Sequence, residues 1–418
     1  MNKKYCVIVD AYSTSRYLAA EFISRGYECI HVSSPGEKAD FYKSTYQPQD
    51  FVIDIQEKDD INKIIEQLAS LPIACVVAGS DPGVIIADEI AYCLGLKQND
   101  LATSIQRRDK HLMAKCLAAH NLAHIKDLKS NDPEEIMAWA YLHDAWPIII
   151  KPINGAATEG LSICNNIDEV TVALDALLNQ TSFLGHRYGE IMAQPFLQGE
   201  EYIVNTVSCD GHHYVSDIWQ AHKVHSKNII YDKLVLLPAQ GALQEILSTY
   251  IINVINALSF QQGPAHSEVL LTKNGPVLIE VNGRIMGLGI PNTLQKQVLG
   301  NTQISLTAEA FVDRKLFMQH AATPYILHKN MACVSHQVRH ANRIVNENAW
   351  QLIKQLPSFS MNKFSGDGIL PKTIDLLTSP GWILLIHEDM AVIENDIKTI
   401  RDIEDHHLFV PNKITAPA

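Results

Sequence analysis

Two glutamates, Glu268 and Glu280, lie in the stretch His266-Ser-Glu-Val-Leu-Leu-Thr-Lys-Asn-Gly-Pro-Val-Leu-Ile-Glu-Val-Asn-Gly-Arg284. Apolar residues flank Lys273-Asn274-Gly275, which suits a three-residue hairpin loop with the glycine in the left-handed region. Thr272 then faces Pro276, Leu270 faces Leu278 and Glu268 faces Glu280. A period of two puts Val277, Ile279 and Val281 on one face and Leu278, Glu280 and Asn282 on the other. Two carboxylates held opposite each other repel unless a cation lies between them. With Asn282 they form a set of hard oxygen donors of the kind that holds Mg²⁺ together with phosphates. Two solvated glutamates on an exposed face are the competing reading, which the apolar strands around them fit less well.

Two further segments carry groups suited to a nucleotide. In Lys151-Pro-Ile-Asn-Gly-Ala-Ala-Thr-Glu-Gly160-Leu161, the small residues Gly155, Ala156, Ala157 and Gly160 leave the backbone bare enough to approach phosphate oxygens, and Lys151 can set its ammonium on them. The loop joins two strands, so it has neither a helix N-terminus nor the GxxxxGK[ST] pattern, and an ordinary hairpin with a surface lysine is the alternative. In Ile191-Met-Ala-Gln194-Pro-Phe-Leu197-Gln-Gly-Glu-Glu201-Tyr-Ile-Val204 a strand breaks at Pro195 and Gly199 and resumes. Backbone groups around Phe196 and Leu197 can read an adenine edge there, with a carboxylate on the ribose hydroxyls; a plain inter-strand turn is the other reading.

The elements that must position these groups follow from periodicity. Over the first hundred residues, short apolar runs (Tyr5 to Asp10, Glu28 to Val32, Asp50 to Asp54, Ala74 to Ala78) alternate with amphipathic stretches such as Arg16 to Arg25 and Ile61 to Leu68. That pattern indicates a parallel sheet wrapped in helices. The turn after the first strand reads Asp10-Ala-Tyr-Ser-Thr-Ser-Arg16 and lacks GxGxxG, which demotes a nicotinamide or flavin enzyme. From about Arg107 a helix over Lys110 to His120 precedes antiparallel hairpins, one of them turning at Cys209-Asp-Gly211. A segment from about Leu316 returns to mixed strand and helix.

Smaller candidates carry less. His212 and His213 point to opposite faces of a strand and cannot share one ion without distortion. His225 either faces a substrate pocket or is a solvated loop residue. Asp81, closing a strand, either binds an amino group or caps a helix. The glycines of Met286-Gly-Leu-Gly289 either admit a substrate carboxylate or form a flexible turn.

Composition sets the outer bounds. The chain has 418 residues and a net charge of -12, from 34 Lys and Arg against 46 Asp and Glu, so it is not an electrostatic nucleic-acid binder. No apolar run reaches the ~18 residues of a membrane span, and the N-terminus has no cleavable leader pattern. The 8 scattered cysteines, without a CxxC pair, read as reduced core thiols. The expectation is a soluble cytoplasmic protein with small-molecule substrates, no nucleic-acid partner and no membrane partner.

In this order, Arg107-Arg-Asp-Lys110-His-Leu-Met113, the Lys151 loop, the Gln194 to Glu201 hinge, Glu268 and Glu280-Val-Asn282-Gly-Arg284 resemble the ATP-grasp superfamily. Val9-Asp-Ala-Tyr-Ser-Thr14, Asp217-Ile-Trp219 with Lys223, and His266-Ser-Glu268 are similar to the L-amino-acid ligases within it. The resemblance implies a multi-domain α/β and α+β chain: a parallel-sheet domain over 1–106, a lid subdomain over 107–190, a larger ATP-grasp subdomain over 191–315, and an α+β extension over 316–418. It implies that Lys110, Lys151 and Lys223 bind ATP phosphates and that the Phe196 and Leu197 backbone holds adenine. Gln194 would lie at its amino group and Glu201 on the ribose. Glu268, Glu280 and Asn282 would ligate two Mg²⁺, replaceable by Mn²⁺, with Glu280 bridging and Arg284 over the reacting carboxyl. The implied activity is ATP-dependent joining of a carboxylate to an amine, making a peptide bond between amino acids or an amino acid and a related acid through an acyl phosphate. Lys151, Glu280 and Arg284 carry the catalysis in that reading. Dimers are common among such proteins, so a homodimer is one expected assembly. A purine-pathway ligase, a D-alanine ligase, a biotin-dependent carboxylase or a non-catalytic nucleotide-binding protein stand as alternatives.

Overall fold

The computed structural model describes residues 3–412 apart from 37, 39, 57–59, 144, 154–159, 179–188, 226–228, 365–367 and 377. The chain divides into two compact units, each drawn from three stretches. The first comprises Met1–Lys126, Tyr202–Ile218 and Pro238–Ile326, and the second Asp127–Glu201, Trp219–Leu237 and Leu327–Ala418. No helix among the described residues is long and apolar enough to cross a membrane.

The first unit opens with β1 (Tyr5–Val9), α1 (Leu18–Ser24), β2 (Glu28–Val32), α2 (Asp40–Lys43), β3 (Ile53–Ile55), α3 (Ile61–Ala69), β4 (Ile73–Ala78), α4 (Gly83–Cys93) and α5 (Lys110–Ala119). The strands pair in parallel in the order β3-β2-β1-β4. Val7, Val9, Ile30, Val32 and Val76 pack with Ile64, Leu68, Val84 and Ile90. Cys6, Ile8, Cys29, Cys75 and Val77 pack instead with Leu18, Phe22, Ile304 and Ala308. Alternate residues of each strand thus feed opposite apolar layers, which is why these strands read as unbroken apolar runs in the sequence. The third strand starts later than expected, because Pro48–Asp50 forms a 3-10 turn.

The second unit begins with β5 (Leu128–Ser130), α6 (Pro133–Tyr141), β6 (Ile148–Pro152), β7 (Ser162–Cys164), α7 (Ile167–Leu178) and β8 (Ile191–Pro195), an antiparallel sheet in the order β5-β8-β6-β7. Ile148 and Ile150 of β6, with Ile191 and Ala193 of β8, pack against Ile136 and Ala140 of α6 and Val170, Leu174 and Leu177 of α7. The alternate residues Ile149, Lys151, Met192 and Gln194 are therefore on the face away from the helices, with Ile149 opposite Gln194 and Lys151 opposite Met192.

Strands β9 (Glu200–Cys209) and β10 (His212–His225) each begin in one unit and end in the other. Asp210 and Gly211 between them both have positive φ, 50° and 75°, the primed hairpin turn whose twist matches the strands. β11 (Ile229–Leu237), α8 (Ala242–Ala257), β12 (Gly263–Thr272), β13 (Gly275–Asn282), α9 (Asn292–Leu299) and α10 (Gln303–Val312) follow. In the first unit the order is β13-β12-β9-β10. In the second it is β10-β11-β14-β17-β16, with β14 (Asn330–Ser335), β16 (Phe359–Phe364) and β17 (Gly381–His387), while β15 (Arg343–Val345) pairs separately with β18 (Phe409–Pro411). Ala332, Val334, Ile383 and Leu385 pack there against Ile353, Ile393, Ile397 and Ile400 of two later helices.

Candidate active site

The β12–β13 hairpin places Glu268 opposite Glu280 and His266 opposite Asn282, but by a different route from the one expected. Thr272 faces Gly275, so the loop is only Lys273 and Asn274, and Leu270 faces Val277, not Leu278. A bulge beside Glu268 and Val269 absorbs Ile279 as an extra residue of β13 and brings the glutamates back into register.

The positive charge that two facing carboxylates require comes from α5. Lys110 Nζ lies 2.6 Å from Glu280 Oε2, and Asn282 Nδ2 donates to Glu280 Oε1 at 3.0 Å. Burial disfavours the Lys110 ammonium, yet the adjacent Glu280 carboxylate, with Glu268 and Asp81 beyond it, outweighs burial and raises its pKa above the ordinary lysine value. Lys110 is the first residue of its helix because Asp109 caps it, accepting from the His111 and Leu112 amides. Behind Glu268 runs a buried polar chain. His266 Nε2 lies 3.5 Å from Glu268 Oε1, His266 Nδ1 pairs with Asn205 Oδ1 at 2.9 Å, and Asn205 Nδ2 donates to Asp217 Oδ1 at 2.5 Å.

Arg284 follows the hairpin. Its Nε donates to Asp81 Oδ2 at 2.8 Å and its Nη1 to the Ile285 carbonyl at 3.0 Å, while Arg108 Nη1 stands 3.5 Å from Asp81 Oδ1. Burial opposes the Arg284 charge, but Asp81 more than offsets it and raises the guanidinium pKa. Asp81 is not a helix cap: α4 begins after Pro82, without a side-chain bond to its amides.

In the second unit, Lys151 and Gln194 share one sheet face, and Gln194 is buried. The Phe196 N–H donates to the Pro147 carbonyl at 3.0 Å, so that group is already used within the chain. Glu201 is buried between the Lys223 ammonium and the Tyr231 hydroxyl, which donates at 3.0 Å, and Lys223 Nζ sits 4.3 Å from the centre of the Tyr231 ring. Gly155, Ala156 and Ala157 fall in 154–159, outside the described residues, as does the side chain of His225. His212 is exposed, whereas His213 is half-buried between Ser208 and Asn256.

Among the described residues, no three His, Cys, Asp or Glu side chains gather as a metal-ligating cluster. Two facing carboxylates and an amide, with an ammonium already drawn to one of them, nevertheless have the hard-oxygen chemistry of a Mg²⁺ site completed by phosphate and water. Asp81, Arg108, Asn205 and Asp217 acquire their places only through long-range folding. Asp81 and Arg284 stand 203 residues apart, and no local pattern links them.

Residues 145–292 match the family model described as the ATP-grasp domain. Over 96% of both chains, the sequence is 31% identical to dapdiamide A synthase of Enterobacter agglomerans. An L-amino acid ligase from Bacillus licheniformis shares the fold with a TM-score of 0.76 at 16% identity, covering 99% of each chain. An ADP-complexed N5-carboxyaminoimidazole synthetase from Staphylococcus aureus does so with a TM-score of 0.70 at 13% identity, covering 96% of this chain and 97% of that one. The fold likenesses agree with the full-length sequence similarity, and by that similarity the chain belongs to the ATP-grasp family of ATP-dependent carbon–nitrogen ligases.

Proposed function

We infer that the chain is a Mg²⁺-dependent ligase that joins two amino acids, or an amino acid and a related acid, by a peptide bond. The observation that carries this reading is the Glu268–Glu280 pair with Lys110 and Asn282 around it, in a chain 31% identical end to end to a synthase named for dapdiamide A.

A carboxylate is a poor electrophile, so amide formation in water needs it activated. A carboxylate oxygen of the acid attacks the γ-phosphorus of ATP and ADP leaves. The amine then attacks the acyl carbon of the acyl phosphate, and inorganic phosphate leaves with the acyl C–O bond broken. The amine gives up its proton as the amide forms. Little covalent work falls to the protein; it must place the two reactants in line and neutralise charge. Lys110, Lys151 and Lys223 supply positive charge for the phosphates, and Arg284 steadies the carboxyl and transferred phosphoryl oxygens. Gln194, Glu201 and the backbone at Phe196 and Leu197 hold the nucleoside. With the Phe196 N–H taken by Pro147, adenine recognition there falls to the Phe196 carbonyl and the Leu197 amide. Two Mg²⁺, held by Glu268, Glu280 and Asn282, would supply charge neutralisation on the triphosphate. A cytoplasmic setting, where ATP is available, fits this reading.

The test is release of ADP and phosphate across pairs of L-amino acids and their N-acyl derivatives, with mass spectrometry of the product. A new amide formed in step with ADP supports the reading. ADP release that requires bicarbonate and ignores added amine would replace it with a carboxylating activity.

A further inference from the structure

Asp81 is built into a closely hydrogen-bonded corner of the first unit. It leaves β4 directly after Gly79 and Ser80. The Gly79 amide donates to the Val9 carbonyl at 2.7 Å and the Ser80 hydroxyl to Asp10 Oδ2 at 2.6 Å, while Asp10, fully buried, also accepts from the Ser34 amide and hydroxyl. A carboxylate mounted this way has little freedom, which suits it to orienting another group.

That group is Arg284. A guanidinium is a rigid plane with five N–H donors. Nε is fixed on Asp81 at 2.8 Å and Nη1 on the Ile285 carbonyl at 3.0 Å, so two points in the plane are anchored and the Nη2 edge carries no protein partner among the described residues. Of the two roles expected of Asp81 from sequence, the helix cap is the one the fold excludes. The Asp81 carboxylate is shared by the Arg284 and Arg108 guanidinium groups.

We propose that Asp81 is a positioning residue that aims the Arg284 guanidinium, presenting its Nη2 edge to the carboxyl and phosphoryl oxygens of the reacting pair. The inference rests on the role given to Arg284 above and deepens it: the parallel-sheet domain contributes to the chemistry through one carboxylate at the C-terminal edge of β4. Arg108 shares that carboxylate as an ion pair at 3.5 Å.

The experiment compares Asp81→Asn, Arg284→Lys and the double variant, in ADP formation with the amino-acid pair that gives the fastest release. Asp81→Asn is expected to lower kcat about 10–100-fold, as loss of a supporting partner does elsewhere, with KM for ATP within about twofold of the parent. In the Arg284→Lys background the same substitution should cost less than about twofold more, because its effect runs through the guanidinium. Asp81→Glu, which keeps the charge, should recover part of kcat. Full multiplication of the two single losses, or an unchanged kcat in Asp81→Asn, overturns the proposal. A second arm needs no substrate: the ¹⁵N Nε–H resonance of Arg284, identified by its loss in Arg284→Lys, should shift and exchange faster with water in Asp81→Asn. An unmoved resonance also overturns the proposal, so failure of the ligase reading and failure of the Asp81 assignment register separately.

Discussion

Lys110 Nζ and Glu280 Oε2 stand 2.6 Å apart, which joins the first residue of α5 to the strand carboxylate expected to bridge two metal ions. The ammonium sits on a carboxylate that faces a second one, so it is the protein's own answer to a repulsion the hairpin creates. A Mg²⁺ held by Glu280 would take over that task and release Lys110 toward phosphate.

Glu280→Ala is accordingly expected to cut amine-dependent ADP formation by at least about 100-fold, because it removes a proposed metal ligand and the carboxylate paired with Lys110. A coupled ADP-release assay with titrated Mg²⁺ measures it. Parent-like turnover at every Mg²⁺ concentration sinks the metal assignment.

Glu201 is held by Lys223 and Tyr231, and the proposed reading puts it on the ribose. Glu201→Gln should raise KM for ATP about tenfold, the size of one charge-assisted hydrogen bond, with a smaller change in kcat. The gap between parent and variant should close with 2′,3′-dideoxy-ATP, which has no hydroxyls to bind; a gap of equal size with that analogue assigns Glu201 elsewhere.

Gly79 tests the mounting of Asp81. A Cβ there would lie 2.3 Å from the Asp10 carbonyl oxygen and 2.9 Å from its carbon, both backbone atoms that cannot swing aside. Gly79→Ala should destabilise the protein by about 1–3 kcal/mol or more and lower kcat through displaced Asp81. Gly189→Ala, whose Cβ would meet nothing within 4 Å, is the control in the same thermal-unfolding and turnover measurements.

Glu21 bears on pH. Burial pushes its pKa up, but hydrogen bonds from Lys296 and Arg25, with their charges, outweigh burial and hold it below the ordinary 4.5. A carboxylate with a lowered folded pKa contributes stability above its unfolded value, and that contribution fades as pH falls through the folded one. Glu21→Gln should therefore lower the melting temperature at pH 7 by a few degrees, and the difference from the parent should shrink as pH drops below 4.5. A difference that persists at low pH means packing, not charge, is what Glu21 provides.

Much of the fold was legible because its signals are local. The apolar runs at Tyr5–Val9, Glu28–Val32 and Ile73–Ala78 announce strands covered on both faces, and the Asp210–Gly211 turn announces its hairpin. Opposition of Glu268 and Glu280 was legible too, although the loop is one residue shorter than its sequence suggests and a bulge restores the register. A bulge at Ile279 has no residue code; it is settled by how both strands pack. The Arg284–Asp81 and His266–Asn205 bonds were illegible for a different reason, since each joins segments far apart in the chain that meet only once the core has formed. Phe196 shows the reverse error, an amide read as open that the fold closes onto Pro147.

Each compact unit is spliced from three separated stretches of chain, with changeovers inside β9 between Glu201 and Tyr202 and inside β10 between Ile218 and Trp219. No single truncation can isolate either unit as a fragment. A chimera between relatives made with one crossover mixes parents within at least one of them. Exchange of a whole unit means transplanting three segments at once, with two of the joins placed inside paired strands, where a mismatch of one residue reverses every side chain. The chain is thus divisible into compact units yet indivisible along its length.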